Sequence, residues 1–322
     1  MNDEQRMLAG MADELFASLG HGATIGTDWA KIEQVALDSL LLAEHQGGFG
    51  GSWEDALLVF RLAGYHGLPL PVPEAAISAK LAGRSGARGT IASQVMGELA
   101  GDRFTGTVSG ICGGTGASFI VAPAPQGGSM IFEATALQFE THRSIAGEAR
   151  ESVRVDDIRV THIADDVFAM GALARVAQMA GALDAALVRT VDYANERVQF
   201  GKALGKFQAV QQNLATLACE AAAVNCAAMG AAQAKRGGAA RFEIAAAKLR
   251  ANRAVGVGTA VAHQVHGAIG FTEEYPLHPL TRRLWAWRSE FGNDGYWSDV
   301  IGPQIVARGS LNFWADLTAL TD

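Results

Sequence analysis

The stretch YANERVQFGKALGKFQAVQQ, Tyr193–Gln212, decides how this chain folds. On its N-terminal side apolar residues recur at Met170, Leu173, Val176, Met179, Leu183, Leu187 and Val191, the spacing of one greasy helical face. That spacing predicts a long helix ending near Glu196 and Arg197. On its C-terminal side Val210, Leu214 and Leu217 open a second helix. The join holds a cation (Arg197), an aromatic (Phe200), two glycines (Gly201 and Gly205) and an amide (Gln208). Arginine's planar fork of donors grips phosphate oxygens in pairs, and glycine lets backbone approach a ligand closely. The join therefore suits a diphosphate, although by residue types alone it also fits an ordinary helical hairpin with a surface arginine.

Outward from this join the chain divides by composition. Residues 1–85 read as helices broken by glycine turns: a helical stretch from Asp28 through Ile32, Val35, Ala36 and Leu40, a loop at Gly47–Gly51, and a helix over Trp53–Leu62. LPLPVPE, from Leu68, is extended, because proline blocks helix and biases its predecessor away from it. Residues 86–165 hold short runs rich in Val, Ile, Thr and Phe between glycines (TIAS, FTGTVSGI, SFIVAPA, SMIFEA, LQFET, SVRVDDIRVTHI), about six strands of a small β-domain. From residue 166 to 322 the pattern is helical again. The expected class is α+β and mostly helical.

With 322 residues, 49% of them hydrophobic and 18% charged, the chain is globular rather than disordered. A net charge of −7 without a basic cluster argues against nucleic acid. The acidic, amphipathic N-terminus lacks the basic start and apolar core of a signal peptide, and no uninterrupted apolar run reaches spanning length. The expectation is a cytoplasmic protein that does not enter a membrane. Cys112, Cys219 and Cys226 have no metal-ligand spacing and read as small buried hydrophobes. His263 and His266 lack a third ligand, so no metal is expected. Neither Gly-x-Ser-x-Gly nor GxGxxG after a strand occurs.

The stretch from Tyr193 resembles the RxxFG…FQ signature of acyl-CoA dehydrogenases, flavoenzymes that oxidise the Cα–Cβ bond of acyl-CoA thioesters. QVHGAIGFTEEYP, from Gln264, is similar to the family's QxxGGxGF segment, with Ala268 in place of the second glycine. LAEHQGGFGGSWEDALLVFRLAG, from Leu42, is similar to the family's Gly-Gly turn before a helix. The resemblance implies a helical, β, helical order and FAD as cofactor. It further implies that Arg197, Gln199, Phe200, Leu204, Phe207, Gln208, Gln264, Gly267 and Ala268 contact the ADP half of a flavin held mainly by a neighbouring subunit.

The same resemblance exposes a loss. Dehydrogenation needs a carboxylate to take the α-proton while the β-hydrogen leaves as hydride. The family places that carboxylate either before a glycine in a late loop or early in the long helix before the RxxFG turn. The matching positions here are Phe291 and Gly171, and neither accepts a proton. Glu290, one residue away, is the fallback. The β-domain also lacks the family's Trp-x-Thr/Ser flavin turn; GICGGTGASF, from Gly110, is the nearest region. The resulting expectation is a short, non-catalytic subunit of a heteromeric acyl-CoA dehydrogenase, a tetramer of two unlike pairs. A longer partner chain would hold the base and the acyl-CoA substrate, with steroid side-chain thioesters as one class and an electron-transferring flavoprotein as acceptor. The rivals are a self-sufficient homo-oligomer using Glu290, and a flavin-free scaffold.

Overall fold

The computed structural model describes residues 1–318 except Ala239 and Glu273. Four helices come first: α1 (Asp3–Leu19), α2 (Ile25–Gln34), α3 (Trp53–Tyr65) and α4 (Val72–Ala82). Asn2 and Ser52 cap α1 and α3, each with a reciprocal bond from the third residue of the helix. The stretch expected as one helix from Asp28 begins earlier, capped by Thr24, and stops at Gln34. Ala36, at φ 55°, then turns the chain into a short 3-10 turn over Leu37–Ser39.

Eight strands follow where about six were expected. β1 (Gly89–Ile91), β4 (Phe119–Pro123), β5 (Ser129–Glu133) and β8 (Thr161–Ile163) form one sheet in the order β1-β4-β5-β8. β2 (Gln94–Ala100), β3 (Arg103–Ile111), β7 (Ala149–Arg159) and β6 (Glu140–Arg143) form another in the order β2-β3-β7-β6. β2 escaped the sequence reading because only Leu99 along it is buried, so it carries little alternation. SVRVDDIRVTHI divides at Val160 between the two sheets. Phe104, Val108, Ile120, Met130, Phe132 and Val153 close a core between them.

A helical bundle completes the fold: α5 (Val167–Glu196), α6 (Gln208–Lys235), α7 (Arg241–His266), α8 (His278–Ser289), α9 (Asp294–Arg308) and α10 (Ser310–Thr318). Between α5 and α6 lies a two-stranded ribbon, β9 (Val198–Gln199) and β10 (Lys202–Ala203), rather than a plain turn. α3 crosses α5 with backbones in contact. A Cβ at Gly64 would overlap Gln178, and one at Gly181 would overlap Arg61. α5 and α6 are both long and apolar enough to cross a membrane by length and composition, although polar residues interrupt each. Most of α5 is buried in the bundle, whereas most of α6 is not.

Candidate functional site

α5 ends when Arg197 leaves helical geometry, and the ribbon reverses through Phe200 and Gly201, both at positive φ (51° and 78°). The Leu204 N–H donates to the Arg197 carbonyl at 2.9 Å, closing the reversal beneath the start of α6. On the far side α7 ends at His266, and the chain turns through a 3-10 segment, Gly267–Phe271, whose first residue has φ 66°. These elements enclose a cleft of about 580 Å³, lined among others by Arg197, Gln199, Leu204, Gln264, Gly267 and Ala268.

Six of the nine residues expected to hold a flavin tail thus meet in one cleft. Phe200 stands at the ribbon's tip, 90% exposed. Phe207 lies outside the lining under the Lys202 ammonium, 4.3 Å from its ring centroid, and Gln208 opens α6. Tyr193, Asn213 and His266 line the cleft without having been expected. Tyr193 lies four residues before Arg197, so helical periodicity could have placed it there.

The cleft's polar groups are unspent. The side chains of Arg197, Gln199, Asn213 and Gln264 make no hydrogen bond or ion pair within the chain among the described residues. α6 starts at the cleft with no side-chain cap, so the first amides of a 28-residue helix face it. A free guanidinium beside an uncapped helix N-terminus has the charge and donors that a diphosphate requires. Gly201 and Gly267 each leave open space where a side chain would stand. The arrangement fits a dinucleotide tail.

The two base positions behave differently. Gly171 and Phe291, 120 residues apart in sequence, lie against each other. A Cβ at Gly171 would fall on Phe291 Cε1, far inside ordinary contact distance. The Phe291 ring is 3% exposed, meets Phe168 edge to face at 5.9 Å, and has the Arg175 guanidinium 5.6 Å from its centroid. Its backbone sits at φ 52°, fixed by its neighbours. Trp297 Nε1 donates to the Phe291 carbonyl at 2.9 Å, and the buried Lys248 ammonium donates to the carbonyls of Trp287, Arg288 and Gly292 and to Asn252. Two residues expected to be alternative seats of one group thus share one spot, and an apolar ring fills it.

Glu290 is committed to a buried ion network. Arg150 Nε and Arg175 Nε donate to its two oxygens at 2.8 and 2.7 Å. Arg175 also binds Glu74 at 2.6 Å, Arg150 binds Glu148, and Glu148 binds Arg283 at 2.6 Å. Burial alone would raise the Glu290 pKa, but Arg175 and Arg150 outweigh it and bring it down to about 2. A carboxylate so held is a structural anion and a poor proton acceptor. The Cys112–Gly116 loop, nearest to the expected flavin turn, is likewise satisfied from within. The amides of Gly114 and Thr115 and the Thr115 hydroxyl donate to Glu151, and Arg88 donates to the carbonyls of Gly113 and Thr115. Burial, then Glu74, pushes the Cys112 thiol up to about 12.

One cysteine expectation is overturned. Cys219 and Cys226 are exposed, seven residues apart on the outer face of α6, because the alanines facing inward already fill the bundle.

A family model described as "Acyl-CoA dehydrogenase, C-terminal domain" matches residues 161–305. Acyl-CoA dehydrogenase IpdE2 of Mycobacterium tuberculosis is 28% identical over 264 residues, covering 78% of this chain and 77% of IpdE2. Acyl-CoA dehydrogenase FadE34 of the same organism is 28% identical over 298 residues, 84% of this chain but only 40% of FadE34. Among solved structures, the Tcur3481-Tcur3483 steroid ACAD superposes with a TM-score of 0.85 at 22% identity, over 95% of this chain and 98% of the other. The ChsE4-ChsE5 complex from Mycobacterium tuberculosis gives 0.81 at 19% identity, over 96% and 98%. At these identities the structures establish a shared fold.

Proposed function

We propose that this chain is an acyl-CoA dehydrogenase-family protein that serves as the non-catalytic subunit of a hetero-oligomer. In this reading the 580 Å³ cleft grips the ADP half of an FAD whose ring is seated in a longer partner chain. That partner supplies the proton-abstracting carboxylate and the acyl-CoA groove. FAD, when bound, supplies the hydride acceptor. This chain's share is positional: Arg197 and the start of α6 take the diphosphate, while Gln199, Asn213 and Gln264 offer further hydrogen bonds.

The observation that carries the reading is Phe291 packed against Gly171. Both positions where the family's base would stand are consumed by one ring. The flavin-ring half does not fit either, because the nearby loop spends its amides on Glu151 and the junction is filled by the Glu290 network. Glu290, held between two arginines, does not favour a self-sufficient homo-oligomer. A partner is further supported by α6, whose exposed positions Ala215, Cys219, Ala222, Cys226 and Met229 form an uncharged outer face. An uncovered apolar helix of this length calls for another chain to cover it. One structural neighbour, the Tcur3481-Tcur3483 steroid ACAD, makes a steroid side-chain thioester the favoured substrate class. A cytoplasmic setting and an electron-transferring flavoprotein as acceptor complete the proposal.

The test is co-expression with a longer acyl-CoA dehydrogenase from the same organism. The complex is expected to carry FAD and to turn over acyl-CoA, and Arg197→Ala in this chain alone should strip the FAD. Turnover by this chain purified alone with its own stoichiometric FAD would refute the assignment. A stable complex whose FAD content ignores Arg197→Ala would reduce this chain to a scaffold.

A further inference from the structure

Beneath the cleft lies a layer of imidazoles built for the neutral state. The Gly267–Phe271 turn, which contributes Gly267, Ala268 and Ile269 to the lining, rests on His263 through a ring stack with Phe271 at 4.2 Å and 18°. Thr281 donates its hydroxyl proton to the His278 carbonyl at 3.2 Å, so it accepts from His263 Nε2–H at 2.9 Å. His263 Nδ1 is then a bare lone pair. It is buried without a protein partner, and a Cβ at Gly270 would lie 3.2 Å from it. His278 Nδ1 is a second buried nitrogen without a partner. His266 is fully committed as well. Its Nδ1–H donates to the Ala262 carbonyl at 2.8 Å, its Nε2 accepts from the Tyr275 hydroxyl at 3.2 Å, and its ring stacks at 4.5 Å on the cleft residue Tyr193.

We propose that this layer is a proton-sensitive floor: charging His263 and His266 lifts the 267–271 turn and loosens the cleft's hold on a dinucleotide tail. A proton on His263 has nowhere to go except Nδ1, where it would be a buried cation's donor with no acceptor. The groups facing the layer do not neutralise it. On α7 His263 and His266 lie three residues apart and repel when charged, and α8 brings His278. On α5 the charges of Arg189, Asp192 and Glu196 act on Tyr275. No carboxylate pairs with His263, His266 or His278 among the described residues. Burial, followed for His263 by repulsion from His266 and His278, lowers both pKa values below 6.5. The sign follows. With depressed folded pKa values the closed floor is intact at neutral pH, and it weakens as pH falls below 6.5 toward the folded values, by up to about tenfold per pH unit for each ring. The release step rests on the dinucleotide reading above; the opening of the floor does not.

Hydrogen–deuterium exchange on the full chain tests the floor directly. After correction for intrinsic rates, amides 267–271 should exchange faster at pH 5.5 than at pH 7.5, by up to about tenfold for each ring that charges. His263→Phe keeps the stack and removes one of the two titrations, and should lower that ratio to the share left by His266. Equal protection of the wild type at the two pH values overturns the proposal, whether or not the variant folds. Titration with ADP tests release: binding at pH 7.5 should weaken about tenfold at pH 5.5. Equal or tighter binding in acid, as attraction between imidazolium and phosphate alone would give, overturns the release step. No ADP binding at pH 7.5 sinks the dinucleotide reading and release with it, while the exchange ratio still decides the floor.

Discussion

Replacing Glu290 with glutamine separates a structural carboxylate from a catalytic one. Glutamine keeps the shape but removes the anion from between Arg150 and Arg175, two guanidiniums with side chains only 13% and 3% exposed. Removing one partner of a buried ion pair costs about 3–5 kcal/mol, because the other charge stays buried without compensation. The pKa drop from 4.5 to about 2 is of the same order, about 3 kcal/mol. With an unfolding entropy of about 2.1 cal/mol/K per residue, 322 residues unfolding together shift Tm by about 1.5 °C per kcal/mol. Glu290→Gln should therefore lower Tm by about 4–7 °C. Calorimetry of the isolated chain measures this.

The pH dependence sharpens the test. The Glu290 pKa is depressed in the fold, so its contribution is complete above about pH 4.5 and is lost as pH falls through about 2. The stability gap between wild type and variant should hold from pH 5 to 8 and close in acid. Turnover per bound FAD in the reconstituted complex should stay within about twofold, since the base lies in the other chain. A loss of two or more orders of magnitude in kcat at unchanged Tm would mean that Glu290 abstracts the proton, and the subunit assignment would fall.

Other substitutions probe the remaining contacts. Gly171→Ala sets a methyl on the Phe291 ring, and overpacking should cost about 1–3 kcal/mol in denaturant unfolding; no loss would mean that the ring is not packed there. Lys248→Met strips the shared donor from three carbonyls and Asn252. The expected result is at least about 2 kcal/mol of destabilisation, with faster hydrogen exchange confined first to residues 287–292. Cys219 and Cys226 should react with a thiol reagent in the isolated chain and be protected in the complex; equal labelling in both would remove α6 from the interface.

The sequence disclosed these features unevenly, for physical reasons. The α5–ribbon–α6 join was legible because a 3.6-residue apolar period stops at a glycine-flanked arginine, a local pattern. The cleft's far wall, from Gln264, was reached only through resemblance. Tyr193 and Asn213 were missed although each lies near a residue that was chosen. The contact between Phe291 and Gly171 joins α5 to the loop between α8 and α9, and no periodicity connects two such distant positions. The ion network escaped entirely: Glu74, Glu148, Arg150, Arg175, Arg283 and Glu290 look like ordinary surface charges, and only the packing of all three regions buries them. Cys219 and Cys226 were misjudged because composition cannot tell an inward alanine-rich face from an outward one.

The two halves of the site have different fates because they place different demands on an isolated chain. An open cleft at the surface leaves its polar groups in water, so Arg197, Gln199 and Gln264 can wait unpaired at little cost. The interior junction has no such option. A void large enough for a flavin ring and an acyl chain, lined by Glu74, Glu148, Arg150, Arg175 and Glu290, would hold charges that neither ligand nor water compensates, each at several kcal/mol. The chain resolves this by pairing those charges with one another and laying Phe291 over Gly171, a burial that contributes about 1.5–3 kcal/mol for the ring alone. It follows that restoring the carboxylate by Phe291→Glu would not restore turnover to this chain alone. The new anion would face Arg175 and displace Glu290 from it, deepening the ion network instead of opening a pocket. Dehydrogenation by purified Phe291→Glu without a partner would show that the junction is an active site missing one group, and that the filling described here is incidental.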